Sequence, residues 1–243
     1  MRTSSRRTLG AWLLVKMLVI GGIWTLAEPV FNASPAVADD KMEARQLVEK
    51  AKLTFDNFMA AREMGAFRDL LKNAKGVFIA PQVLKGAFIF GVSGGSGVFV
   101  AKDKAGQWSG PAFYTIGEVS FGLQIGGEAS EVVFVALTDR GVTALLSDSV
   151  KLGADVGVAV GPVGMGAEAS TANLSGDIIS FSMSKGLYAG VSLEGAVVAT
   201  RGDWNSAYYG GAVKATDILV RRAASNPHAQ GLLQEVAKGA GGK

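Results

Sequence analysis

The sequence predicts an α+β domain: an N-terminal amphipathic helix, then a curled, mainly antiparallel, glycine-rich β-sheet or barrel, then short C-terminal helices. Three observations predict it. Apolar residues at three- and four-residue steps (Ala44, Leu47, Val48, Ala51, Phe55, Phe58, Met59) mark one helix between Asp40 and Arg62. From Lys75 the period changes to two and to continuous apolar runs, with glycine between them. Glycine is 33 of 243 residues, yet it is interspersed with Val, Ile, Phe and Ala. That pattern reads as close backbone approach within a sheet and not as a linker.

Residues 1–38 have the form of an export signal. Arg2, Arg6 and Arg7 form a basic start, and an apolar run from Leu9 to Leu26 is interrupted only by Lys16. Ala36-Val37-Ala38 offers a cleavage site before Asp39, which places the protein in the periplasm or envelope. The run is also long enough for a retained anchor. The rest, 39–243, reads as a single domain with a helical segment (39–73), a β region (74–201) and a C-terminal helical tail (202–243).

Asp40 and Glu43 resemble a capping box for the first helix. Its polar face carries Arg45, Glu49, Lys50, Lys52 and Asp56. The apolar stripe suits packing on the core. In the sharper reading, Leu47, Phe55 and Phe58 contact a membrane surface. A short helix covers Ala66 to Asn73. Strands are expected in "GVFIAP", "GAFIFGVS", "GVFVAKD", "PAFYTIGEV", "FGLQIGGE" and "EVVFVALT", with Gly94, Gly95 and Gly97 making a bend. Thr138 or Asp139 caps a helix running to Ser147. Strands resume in "ADVGVAVGP", "DIISFSMS" and "LYAGVSLEGAVVAT", followed by a turn from Asp203 to Tyr209. Short helices near Thr216–Ala223 and Pro227–Ala237 end the chain, the second capped by Asn226.

The net charge of +3 resides in the first 38 residues, so the remainder is neutral and nucleic acid is not an expected partner. Charge is nevertheless uneven. Lys72, Lys75, Lys85, Lys102 and Lys104 cluster in sequence with only Asp103 among them, which can mark a face for an anionic partner.

Catalysis finds little support. Gly91-Val92-Ser93-Gly94-Gly95 fits the G-x-S-x-G nucleophile pattern, but a strand follows Ser93 where that motif needs a helix. The one histidine, His228, lies in the tail, and the chain has no cysteine, so neither thiolate chemistry nor a Cys/His metal site is expected. No cofactor motif is present. Glu118, Glu128 and Glu131 are candidates for a carboxylate-dependent hydrolase, the least favoured reading.

From Asn73 to Tyr209 the chain resembles the SYLF domain family. The resemblance lies in "KNAKGVFIAP" (72–81), "GGSGVFVAKDKAGQWSGPAF" (94–113), "GLQIGGEASEVVFVALTDRGVTAL" (122–145), "LGADVGVAVGPVG" (152–164) and "SKGLYAGVSLEGAVV" (184–198). It implies a non-enzymatic module that binds phosphoinositides and other anionic lipid headgroups through basic residues and an N-terminal amphipathic segment. The chain matches the family at Lys75, in "AKG" (74–76), and keeps a basic residue, Lys85, upstream of the "GGSG" bend; the charge cluster adds Lys72, Lys102 and Lys104 as headgroup contacts, with Leu47, Phe55 and Phe58 on the helix beside them. Eukaryotic members also regulate actin, but an exported protein would not meet actin. An envelope protein partner is the alternative.

Overall fold

The computed structural model describes residues 35–87, 90–121, 126–164, 175–184, 187–189 and 193–241. Helix α1 (Pro35–Ala60) is followed by a 3-10 turn (Arg62–Met64) and α2 (Gly65–Leu71). Four long strands come next: β1 (Gly76–Ala87), β2 (Phe90–Lys102), β3 (Trp108–Phe121) and β4 (Gly126–Ala136). Then follow α3 (Asp139–Leu146), β5 (Ser149–Lys151), β6 (Val158–Val160), β7 (Ile178–Ser184), β8 (Leu187–Ala189) and β9 (Val197–Thr200). Helices α4 (Gly202–Tyr209), α5 (Ala215–Leu219) and α6 (Gln230–Gly239) end the described chain. The strands form one curled sheet in the order β5-β9-β3-β2-β1-β4-β7-β6, with β8 also on β7. Pairing is antiparallel except between β6 and β7.

The apolar runs of β1, β2 and β4 are continuous because both faces of the sheet are covered. Val77, Ile79, Val98, Val100, Val133 and Val135 pack with residues of α1, α2, α4 and α6. Their neighbours Phe78, Ala80, Phe99, Ala101, Phe134 and Ala136 pack with residues of α3, α5, β5 and β9. Alternate side chains point to opposite faces, so a strand buried twice needs apolar residues at every position. Phe78 stacks on Phe134 at 5.0 Å between ring centroids.

Helix α1 is described from Pro35, so Asp40 lies inside it and does not cap it. Proline is well suited to a first helical turn, and the Ala-rich residues after it carry the helix through Asp40. The expected cleavage site therefore falls within the first turns of α1. Among the described residues no helix is long and apolar enough to cross a membrane.

Several boundaries differ from expectation. "GAFIFGVS" takes in the end of β1 and the start of β2, and "FGLQIGGE" the end of β3 and the start of β4, while residues 88–89 and 122–125 of these stretches lie outside the described residues. The expected bend at Gly94, Gly95 and Gly97 lies within β2, which continues to Lys102. The irregularity belongs to β1 instead. Pro81 and Gln82 of β1 face the single residue Glu131 of β4, because pairing jumps from Ala80↔Val132 to Val83↔Ser130. This is a β-bulge, where a proline without an N–H can sit inside a sheet. The bulge explains two of the glycines. A Cβ on Gly95 would lie 2.2 Å from the Gln82 carbonyl oxygen, and one on Gly97 would lie 2.5 Å from the Phe78 ring. Gly94 has no such neighbour, its nearest being 3.7 Å away.

The expected turn from Asp203 to Tyr209 is helix α4, which buries Trp204, Asn205, Ala207 and Tyr208. "ADVGVAVGP" contributes only the three residues of β6, and "LYAGVSLEGAVVAT" divides into β8 and β9. Thr138 caps α3 through its hydroxyl, which accepts from Gly141 N at 3.0 Å. Asn226 likewise caps the turn at Pro227, accepting from His228 N.

Candidate functional site

Four of the five lysines meet at one end of the sheet. Lys75 precedes β1, Lys102 closes β2, Lys104 sits in the β2–β3 turn, and Lys72 follows α2. The backbone ties them together, with Lys102 N donating to Lys75 O at 2.8 Å and Lys75 N to Ala136 O at 2.8 Å. Acids balance part of the charge. Lys72 pairs with Asp69 at 2.7 Å and Lys75 with Asp139 at 2.9 Å. The Lys75 ammonium, first by hydrogen bond and then by charge, holds the Asp139 carboxyl below its ordinary range, and Lys104 adds to the effect. Lys102 instead lies over the Trp108 ring, 5.5 Å from its centroid. Among the described residues, neither Lys102 nor Lys104 has an ion-pair partner within the 4.0 Å of a salt bridge.

One further cation joins this end. Arg222 takes a left-handed φ of 55°. Its guanidinium donates to the Gln107 side-chain oxygen at 2.9 Å and pairs with Asp103 at 2.8 Å. Sequence reasoning missed it because 115 residues separate Arg222 from Gln107. Its φ, unusual for a residue with a side chain, leaves no mark on the sequence.

Lys85 does not belong to this group. It lies near the far end of β1, ten residues from Lys75, or roughly 30 Å along an extended strand. There it occupies a lateral row. Lys85 pairs with Ser93 of β2 and with Glu128 of β4, while Ser93 pairs with Glu118 of β3. Directly paired residues share a face, so Glu118, Ser93, Lys85 and Glu128 stand side by side. Lys85-Gly86 therefore sits inside a strand and does not open one.

The row bears on two catalytic readings. Glu118 and Glu128 stand three strand spacings apart, about 14 Å at roughly 4.8 Å per strand. A glycosidase-type carboxylate pair needs about 5–9.5 Å. Glu131 is no partner for either, because its side chain meets Thr54 of α1 on the other face. Ser93 is buried in β2 between Lys85 and Glu118. The His228 ring is engaged elsewhere, by Tyr208 at 3.1 Å and Glu49 at 3.0 Å.

Leu47, Phe55 and Phe58, the expected membrane contacts, are 8%, 1% and 0% exposed and belong to the core. Phe55 and Phe58 meet Phe67 edge-on at 6.0 and 5.7 Å. Burying each ring is worth roughly 1.5–3 kcal/mol, so this face is committed to packing.

The helix-covered curled sheet is an α+β domain, and its sequence match places it in the SYLF class. The chain belongs to the Ysc84 family, described as Las17-binding protein actin regulator, whose family model matches residues 117–239. Protein YSC84 of Saccharomyces cerevisiae is 36% identical over 169 residues, covering 68% of this chain and 36% of that relative. LAS seventeen-binding protein 3 of the same species is 37% identical over 158 residues, 63% of this chain and 34% of the relative. The human SH3 domain-containing YSC84-like protein 1 is 37% identical over 152 residues, 62% of this chain and 44% of the relative. The chain thus spans less than half the length of these curated relatives.

Proposed function

We propose that this domain is a non-catalytic module that docks on anionic lipid headgroups through the basic end of its sheet. The convergence of Lys72, Lys75, Lys102 and Lys104 supports this reading. Lys102 and Lys104 carry the most weight, because carboxylates already neutralise Lys72 and Lys75. Each basic residue near an anionic surface contributes about 1 kcal/mol. Two free lysines then supply about 2 kcal/mol, enough for a weak, salt-sensitive attraction. With the export signal read in residues 1–38, the membrane concerned is that of the periplasm or envelope.

The family description favours a second reading, in which the domain meets a protein partner. One relative's name says that it binds LAS seventeen, and an exported member would need a different, envelope partner.

Sedimentation with vesicles tests the lipid reading. Purified protein is expected to pellet with phosphatidylcholine vesicles containing phosphatidylglycerol and not with phosphatidylcholine alone. The difference should vanish at high salt and in a Lys102→Glu, Lys104→Glu double variant. Equal pelleting with both vesicles, or with neither, would overturn it.

A further inference from the structure

Lys102 and Lys104 flank an acid, Asp103, yet neither lysine pairs with it among the described residues. The acid is already engaged at both oxygens. Its Oδ1 accepts from Gln107 N at 2.8 Å, across the β2–β3 turn. Its Oδ2 pairs with the Arg222 guanidinium at 2.8 Å. That guanidinium also donates to the Gln107 side-chain oxygen at 2.9 Å and to the Gln107 carbonyl oxygen at 2.6 Å. Three acceptors around one cation suit the forked donors of arginine and not the point charge of lysine.

Arg222 reaches the turn from the C-terminal part of the chain with its left-handed φ of 55°. It is the one residue other than glycine with a positive φ among those described. Such a backbone persists where surrounding contacts hold it, and here the contacts are those to the turn. The ion pair is also better shielded than its neighbour. Arg222 and Asp103 are 32% and 35% exposed, whereas Asp139, the partner of Lys75, is 90% exposed.

Without Arg222, the Asp103 carboxylate would stand between two unpaired ammonium groups on flexible stems, each one residue away. We infer that Arg222 is a positioning residue of the basic strand end: by holding Asp103 it keeps Lys102 and Lys104 unpaired and open to an anionic partner. What the free lysines then meet rests on the docking reading above. The segment after α5 thus conditions a surface that β2 and the following turn present.

Two measurements on the whole chain separate this inference from that reading. NMR of the Lys102 and Lys104 ammonium groups reports their pairing. Asparagine tolerates a left-handed φ but is too short to replace the guanidinium, so Arg222→Asn should shift these signals to the ion-paired form. Adding Asp103→Asn should return them to those of the parent. Sedimentation with phosphatidylcholine–phosphatidylglycerol vesicles should show binding about fivefold weaker in Arg222→Asn, the factor carried by one charge at the surface. The double variant should recover it, which loss of a merely structural contact would not. Lys50→Gln removes the same charge from α1 beside Pro81, roughly 20 Å along β1 from Lys75, and should leave binding nearly unchanged. Unchanged ammonium signals in Arg222→Asn, no recovery in the double variant, or equal weakening in Lys50→Gln would overturn the inference. Ammonium signals that shift and recover in a protein binding no vesicles would uphold it and overturn the docking reading. If Arg222→Asn does not fold, Asp103→Asn alone carries the test. Its ammonium signals should match the parent, and a shift would mean that Asp103 was already paired with the lysines.

Discussion

His228 Nε2 lies 3.0 Å from Oε1 of Glu49, joining the C-terminal segment to α1. The other ring nitrogen, Nδ1, lies 3.1 Å from the Tyr208 hydroxyl of α4. A neutral ring satisfies both contacts, donating to Glu49 from Nε2 and accepting from Tyr208 at Nδ1. The chain's single histidine is thus a clamp across three segments. His228→Ala should cost about 1–2 kcal/mol, which for a chain of this size lowers Tm by roughly 2–8 °C. Calorimetry checks it. An unchanged Tm would mean that the clamp contributes nothing.

The glycines of β2 should separate sharply. Gly95→Ala drives a Cβ to 2.2 Å from a backbone oxygen that cannot step aside, and should cost about 1–3 kcal/mol. Gly94→Ala meets nothing closer than 3.7 Å and should stay within about 0.5 kcal/mol of the parent. Urea unfolding of the pair compares them directly.

On α1, Phe58→Ala should destabilise by about 3–5 kcal/mol, because the ring is fully buried against Phe67. Leu53→Ala, at an exposed position of the same helix, should be nearly silent in stability. A Phe58 variant as stable as the parent would mean that this face is not core.

Asp139 offers a pH signature. Its pKa is lowered on folding by Lys75, so the contribution of the pair is present above the unfolded carboxylate value and is lost as pH falls through the folded one. Carboxyl NMR titration should place Asp139 below an ordinary aspartate, and Lys75→Met should raise it again. No change in that variant would disprove the pairing in solution.

The apolar spacing of α1, the cap at Thr138 and the cap at Asn226 were all legible, because each depends on neighbours within a few residues. Helix α4 was hidden for a comparable local reason. Trp204, Ala207 and Tyr208 have helical spacing, but Gly202, Asn205, Ser206 and Gly210 around them have the composition of a turn. Asn205 is explained only by tertiary structure, where its Oδ1 accepts from Phe113 N at 3.0 Å. The site followed the same division. Lysines at strand ends could be read from the sequence, but which end each one occupies depends on strand length and pairing. A strand expected at 86–93 placed Lys85 at a junction, whereas β1 runs past it to Ala87.

The bulge at Pro81 and Gln82 has a consequence for how this sheet finds its pairing. Strands that are apolar on both sides carry little hydrophobic information about alignment, since a shifted copy buries nearly as much. If β2 slid by one residue, Ser96 would stand where Gly95 now clears the Gln82 carbonyl, and Val98 where Gly97 clears the Phe78 ring. In that register both side chains collide. Proline on one strand and two glycines on the next thus form a key and its notches, and "GGSG" serves as the address at which β1 and β2 lock.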